Sequence, residues 1–151
     1  EENDEVFDFV VVDFPDPSNF AIGKLYSAAF YRLLEKHLAA GGLSVIQSTS
    51  PLYARQSFWC IVNTLASVGL VVTPYHALVP SFGEWGFVLA GRRAYKPPLV
   101  YGVDTHFLTP ETTPTLFQFP KDMARVDAEV NRLNNQVLVR YFEDEWRQVI
   151  R

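Results

Sequence analysis

Apolar positions along this chain fall first into short unbroken runs and then into helical spacing. Phe7-Asp8-Phe9-Val10-Val11-Val12 is rich in β-branched and aromatic residues and apolar on both faces, the pattern of a strand buried inside a parallel sheet. It stops at Asp13-Phe14-Pro15-Asp16-Pro17-Ser18-Asn19, where two prolines withdraw ladder donors. Phe30, Leu33, Leu34 and Leu38 predict one face of a helix that starts near Ser27 and is ended by Gly41-Gly42. His37 lies in its last turn, where the helix dipole favours a positive charge. Leu43-Ser44-Val45-Ile46-Gln47 reads as a second buried strand. Ser50-Pro51 then opens a helix through about Val68, with Phe58, Ile61, Val62 and Leu65 inward and Gly69 as its cap. Residues 70–79 form a third strand, which Pro74 consigns to an edge or a bulge. After a turn at residues 80–84, Trp85 to Ala90 returns antiparallel to it.

Residues 1–91 therefore read β-α-β-α-β-β, which implies right-handed crossovers and an α/β sheet. Residues 92–120 are proline-rich and are expected to wrap the surface of the same domain. From Asp122 onward Val126, Val130, Leu133, Val137 and Tyr141 recur at helical spacing, followed by Trp146 and Val149. These predict a C-terminal helical segment, broken near Asn134-Asn135.

Composition narrows the classes. The 151 residues carry 13 Lys+Arg against 17 Asp+Glu, a net charge of −4, which leaves no bulk basic surface for nucleic acid phosphates. The Arg92-Arg93 pair is too small for such a patch. Cys60 is the single cysteine, so neither a disulfide framework nor a cysteine-based zinc site is available. His37, His76 and His106 lack metal-ligand spacing, and no metal is assigned. No uncharged apolar run approaches the ~20 residues that span a bilayer.

Chemistry concentrates at the end of the first strand, because open α/β sheets bind ligands beyond the carboxyl ends of their strands. Asp13 stands there, and Asp16 follows three residues later across a proline. Two carboxylates held toward one crevice suit a cationic amine: one binds an ammonium and the other accepts a proton from the attacking nitrogen. The alternative from spacing alone is that Asp16 and Asp13 each cap a local turn. Cys60, between apolar neighbours on a helix, reads as a buried small hydrophobe rather than a nucleophile.

The ordered series Asp13-Phe14-Pro15-Asp16-Pro17, Gly23-Lys24-Leu25-Tyr26-Ser27 and Phe30-Tyr31 resembles the spermidine synthase (polyamine aminopropyltransferase) family. Gly41-Gly42-Leu43, Gln47, Phe58-Trp59, Pro80-Ser81-Phe82 and Gly86-Phe87 continue the resemblance in order, and it extends to residues 130–135. It is closest to the bacterial branch whose members carry a membrane-spanning N-terminal region. The resemblance implies the C-terminal half of a Rossmann-like S-adenosylmethionine-dependent-transferase sheet. It implies a cytoplasmic catalytic domain, within a membrane-anchored parent if that branch feature holds. The implied reaction moves an aminopropyl group from decarboxylated S-adenosylmethionine, a co-substrate rather than a prosthetic group, to a diamine such as putrescine. By position Asp13 is then the proton acceptor, Asp16 belongs to the amine-binding loop, and Gln47 faces the diamine pocket.

Two positions depart from the family. Phe82 stands where a tyrosine is usual, so a hydroxyl for the distal amine is gone; Glu84 either supplies negative charge there or is a solvated turn residue. Asn19-Phe20 replaces Gly-Pro, leaving Phe20 to pack on the thioether sulfur. Trp85 and Phe87 read as core, with Trp85 a candidate for the pocket mouth.

A nucleotide site of this type needs a glycine-rich turn and a ribose-binding acid upstream, yet only twelve residues precede Asp13. The chain is thus expected to lack the nucleotide-binding half of its domain, to be inactive alone, and to self-associate through its exposed first strand. Two other readings stand beside this one. An S-adenosylmethionine-dependent methyltransferase shares the β-α-β-α-β-β ending, but a carboxylate at Asp16 suits an amine better than a base ring. The other is a non-catalytic polyamine-binding module.

Overall fold

The computed structural model describes residues 4–98 and 100–149. Four strands form one mixed sheet: β1 (Phe7–Val12), β2 (Leu38–Gln47), β3 (Val71–Val79) and β4 (Gly83–Gly91), in the order β1-β2-β4-β3. β1 and β2 run parallel, and β4 is antiparallel to both of its neighbours. The helices are α1 (Phe20–Gly23), α2 (Ala28–Lys36), α3 (Arg55–Ala66) and α4 (Val137–Val149). This is the expected α/β architecture, with β3 and its Pro74 on an edge.

Alternation along the strands decides which face is core. Val12, Ile46, Val88 and Ala90 are buried in one cluster with Phe58, Ile61, Val62 and Leu65 of α3, the four residues predicted inward. Leu138 and Val137 of α4 join that cluster, as does Cys60, whose thiol is pushed up to about 12 chiefly by burial. The N-terminus of α3 is capped from another helix: Glu145 accepts the backbone N–H of Gln56 at 2.5 Å and of Ser57 at 3.1 Å, and the Ser57 hydroxyl at 2.6 Å.

Several elements differ from the sequence expectation, each for a local reason. β1 was predicted to be interior, yet it is an edge among the described residues, with Phe7, Phe9 and Val11 on its open face 47, 57 and 63% exposed. Gly41-Gly42 does not end a helix. α2 stops at Lys36, and both glycines lie within β2, where a Cβ on Gly42 would come within 2.8 Å of the Phe7 carbonyl. Leu33 is exposed, because the inward stripe of α2 runs through Ala28, Tyr31 and Leu34. Residues 122–136 are not helical: Val126, Ala128 and Val130 turn inward while Arg125, Asp127 and Glu129 turn out, a period of two. Asn131 ties that segment to the rest of the fold, and Asn135 competes for its backbone. Asn131 Nδ2 donates to the carbonyls of Gly23 and Tyr26, and Asn135 Nδ2 to that of Val130.

On the sheet's other face, residues 92–98 and 100–120 form a largely irregular strap with one 3-10 turn at Thr113–Phe117, which packs on β3. An apolar cavity of about 450 Å³ separates it from Tyr75, Phe87 and Leu89. Among the described residues, no helix is long and apolar enough to cross a membrane.

Candidate active site

The parallel pairing of β1 and β2 brings their carboxyl ends side by side, with Val12 opposite Ile46. Asp13 and Gln47 each follow by one residue and share a cavity of about 270 Å³ with Phe82, Trp85, Phe87 and Val79. A second hollow of about 250 Å³ continues from Asp13 and Gln47 toward Val11, Val45 and Tyr75. The site thus lies at the position that open α/β sheets use for ligands.

Gln47 is the hub. Its Nε2 donates to the Phe14 carbonyl at 3.1 Å and to the Tyr26 hydroxyl at 3.2 Å, and its Oε1 accepts the Trp85 indole N–H at 2.8 Å. The Tyr26 hydroxyl in turn donates toward the carbonyls of Phe14 and Pro15, 3.1 Å from each. This fixes the Asp13–Pro17 loop from beneath. Burial raises the Tyr26 pKa, with the Asp16 and Asp13 carboxylates adding to it, so the phenol stays protonated between two acids.

The carboxylates differ in setting. Asp13 is exposed at the cavity wall. Asp16 is half-buried, and its Oδ1 has no solvent access and no hydrogen-bond partner. Burial raises its pKa from the ordinary 3.8, while the Thr49 hydroxyl and the Gln47 amide beside it pull the other way. Thr49, one residue past the buried Ser48, is a β-branched residue at φ 58° and holds a buried hydroxyl with no partner. Such a backbone costs roughly 1–3 kcal/mol and collects at functional sites.

Of the sequence candidates, Asp13, Gln47 and Phe82 meet in one cavity, and Asp16 adjoins Gln47 behind it. Phe82 is 64% exposed and its ring centroid lies 5.4 Å from that of Trp85, so Trp85 lines the pocket. Phe20 lies outside this cavity, 59% exposed. Asn19 caps α1, its Oδ1 accepting the N–H groups of Ala21 and Ile22 at 3.0 Å. Glu84 is neither a solvated turn residue nor part of the cavity. It belongs to β4 and pairs with His76 Nδ1 across the hairpin, while His76 Nε2 faces the Gln118 carbonyl at 2.7 Å. The motif order contains Tyr26 but assigns it no task, and Thr49 has no sequence signal: nothing in Gln47-Ser48-Thr49-Ser50 marks a left-handed residue.

Residues 1–96 match the model of the spermine/spermidine synthase domain. The chain belongs to the spermine/spermidine synthase family. It is 58% identical over 149 residues to polyamine aminopropyltransferase 2 of Ralstonia nicotianae, covering 97% of this chain and 29% of that protein. It is 50% identical over 150 residues to the polyamine aminopropyltransferase of Leptospira interrogans, covering 99% and 30%. The chain therefore spans about 29% of the length of these curated relatives. Among solved structures it resembles spermidine synthase from Thermotoga maritima, at TM-score 0.64 and 19% identity over 80% of this chain and 44% of that one. A spermidine synthase in complex with the transition-state analogue AdoDATO gives TM-score 0.66 at 20% identity, covering 80% and 45%. Those two likenesses support the fold: the sheet of this family member is the one that spermidine synthases use.

Proposed function

We propose that this chain carries the acceptor-binding and proton-accepting part of a polyamine aminopropyltransferase. The donor is decarboxylated S-adenosylmethionine and the acceptor a diamine, with putrescine the first candidate. The observation that carries this reading is the cavity in which Asp13 and Gln47, at the ends of adjacent parallel strands, meet Phe82 and Trp85. Residues between Asp13 and Phe87 supply that cavity, and the segment after β4 braces the same domain.

The chemistry asks little of the protein beyond alignment and a base. A neutral amine nitrogen attacks the methylene carbon bound to the sulfonium; the carbon–nitrogen bond forms as the carbon–sulfur bond breaks. The sulfur leaves as a neutral thioether, and the nitrogen is left with one proton too many. Asp13, exposed at the cavity wall, accepts that proton and releases it to solvent. Asp16 holds an ammonium group by charge, and Gln47, pinned by Tyr26 and Trp85, holds the loop between the two acids in place. Phe82 and Trp85 present aromatic faces, which attract a cation without a hydroxyl.

The donor's nucleotide site is assigned to sequence outside these 151 residues, so the isolated chain is inactive alone in this reading. The test supplies the full-length polypeptide with putrescine and either decarboxylated or intact S-adenosylmethionine, and identifies products by mass spectrometry. Aminopropylated product from the decarboxylated donor alone supports the reading. Methylated product from the intact donor overturns it in favour of a methyltransferase.

A further inference from the structure

Thr49 has a backbone that its side chain disfavours and a buried hydroxyl with no hydrogen-bond partner. It lies two residues past Gln47 at φ 58°, and β4 holds it there from both sides. The Gly86 N–H donates to the Thr49 carbonyl at 2.7 Å, and the Ser48 N–H donates to the Gly86 carbonyl at 2.9 Å. The Ser50 hydroxyl donates to the Glu84 carbonyl at 2.6 Å. With its backbone committed to β4, Thr49 is 1% exposed, and its Oγ1 has no partner.

Among the described residues, another buried, unpartnered oxygen at this end of the sheet is Asp16 Oδ1. Asp16 lies in the loop that leaves β1 and Thr49 in the segment that leaves β2, and the two parallel strands end side by side; the Thr49 hydroxyl is among the groups that favour the ionised Asp16 carboxyl. A buried hydroxyl that meets no carbonyl, set beside a buried carboxylate oxygen that meets no donor, forms a natural donor–acceptor couple. Gln47 itself is committed to Phe14, Tyr26 and Trp85, which leaves Thr49 as the donor free to take Oδ1.

We propose that Thr49 is a positioning residue for Asp16: when a diamine acceptor is held, its hydroxyl donates to Oδ1, fixes the carboxylate, and leaves the second oxygen to the primary ammonium. This rests on the reading of Asp16 as the residue that holds the amine. Thr49 acts through Asp16 and touches no reacting atom. A strained residue kept at a ligand-facing strand end is the place where such strain serves a purpose.

The test titrates the full-length polypeptide with 1,4-diaminobutane by calorimetry across a pH series, for wild type, Thr49→Val, Thr49→Ser and Thr49→Gly. Thr49→Val keeps the shape and removes the donor; binding weakens about tenfold. The acid limb of binding moves to higher pH, because the carboxylate loses a partner that favoured its charge. Thr49→Ser restores both. Thr49→Gly adopts the backbone without strain, so it unfolds at a denaturant concentration at or above that of wild type, yet binds as weakly as the valine variant. Binding within about twofold of wild type in Thr49→Val with an unmoved acid limb overturns the proposal, as does a serine variant as weak as valine. A wild type that binds the diamine but transfers no aminopropyl group overturns the enzymatic reading and leaves the Thr49 result standing. A wild type that binds no diamine overturns both.

Discussion

The indole of Trp85 is tied to Gln47: Nε1 donates to Oε1 at 2.8 Å, joining the end of β2 to β4 across the mouth of the Asp13 cavity. Because the other end of the same amide holds Phe14 and Tyr26, one side chain couples the hairpin to the acidic loop. Trp85→Phe keeps an aromatic wall and removes only the donor. The half-buried amide oxygen then lacks a partner, at about 1–2 kcal/mol. In the full-length polypeptide we expect the KM for putrescine to rise about tenfold while kcat stays within about twofold. Steady-state kinetics at saturating donor checks this, and an unchanged KM removes Gln47 from the acceptor site.

Asp16 ties stability to pH. Its native pKa lies above the ordinary 3.8, with burial the largest cause, so the folded state binds the proton more tightly than the unfolded chain. Its contribution is therefore full below pH 3.8 and declines as pH rises through the raised native value. Asp16→Asn removes that decline. Urea unfolding at several pH values is expected to show a variant more stable than wild type near neutrality and less able to bind the diamine. A variant less stable than wild type at pH 7 contradicts this account of the carboxylate.

Gly86 is where β4 must pass close to Thr49 and Phe58. A Cβ there would sit 2.5 Å from Phe58 Cε2 and 2.8 Å from the Thr49 carbonyl oxygen. Gly86→Ala must displace either a core ring or the backbone that shapes the site, an overpacking cost of about 1–3 kcal/mol. The urea midpoint is expected to fall by about 1 M for a slope near 2 kcal/mol/M. A midpoint equal to wild type means that the strand is looser than the structure shows.

The open face of β1 predicts association of the 151-residue chain when it is studied by itself. Phe7, Phe9 and Val11 present a contiguous apolar stripe on an edge strand, and such strands pair with one another unless covered. Light scattering at micromolar concentration is expected to give a mass above that of one chain. Substituting Phe9 and Val11 with lysine is expected to return it to a monomer. A monodisperse wild-type monomer counts against the idea.

Much of this was legible in the sequence where one pattern permitted one structure. Pro74 forced β3 to an edge, and the Phe58, Ile61, Val62 and Leu65 stripe fixed the buried face of α3. The order of motifs points to Asp13, Gln47 and Phe82, and all three line one cavity. Misreadings arose where two patterns coincide. Val126 and Val130 are four apart, which suits a helix and an alternating segment equally; Asn131 decides for the latter through bonds across the fold to Gly23 and Tyr26, and Asn135 through a local bond to the Val130 carbonyl. Gly41-Gly42 carries the usual stop signal, yet serves a close strand approach. Phe7 to Val12 reads as interior, since composition reports burial without saying what buries it. Glu84 and Thr49 were unreadable for another reason. One is defined by a partner on the next strand and the other by a backbone angle, neither of which leaves a local trace.

The central claim is that Asp13 accepts the proton released by the attacking amine, and one comparison addresses it. Asp13→Asn keeps the size and exposure of the side chain and removes its basicity. In the full-length polypeptide, with decarboxylated S-adenosylmethionine and putrescine, we predict kcat/KM lower by about 10²–10⁴, with diamine affinity by calorimetry largely retained. Transfer by Asp13→Asn within a few-fold of wild type would contradict the assignment.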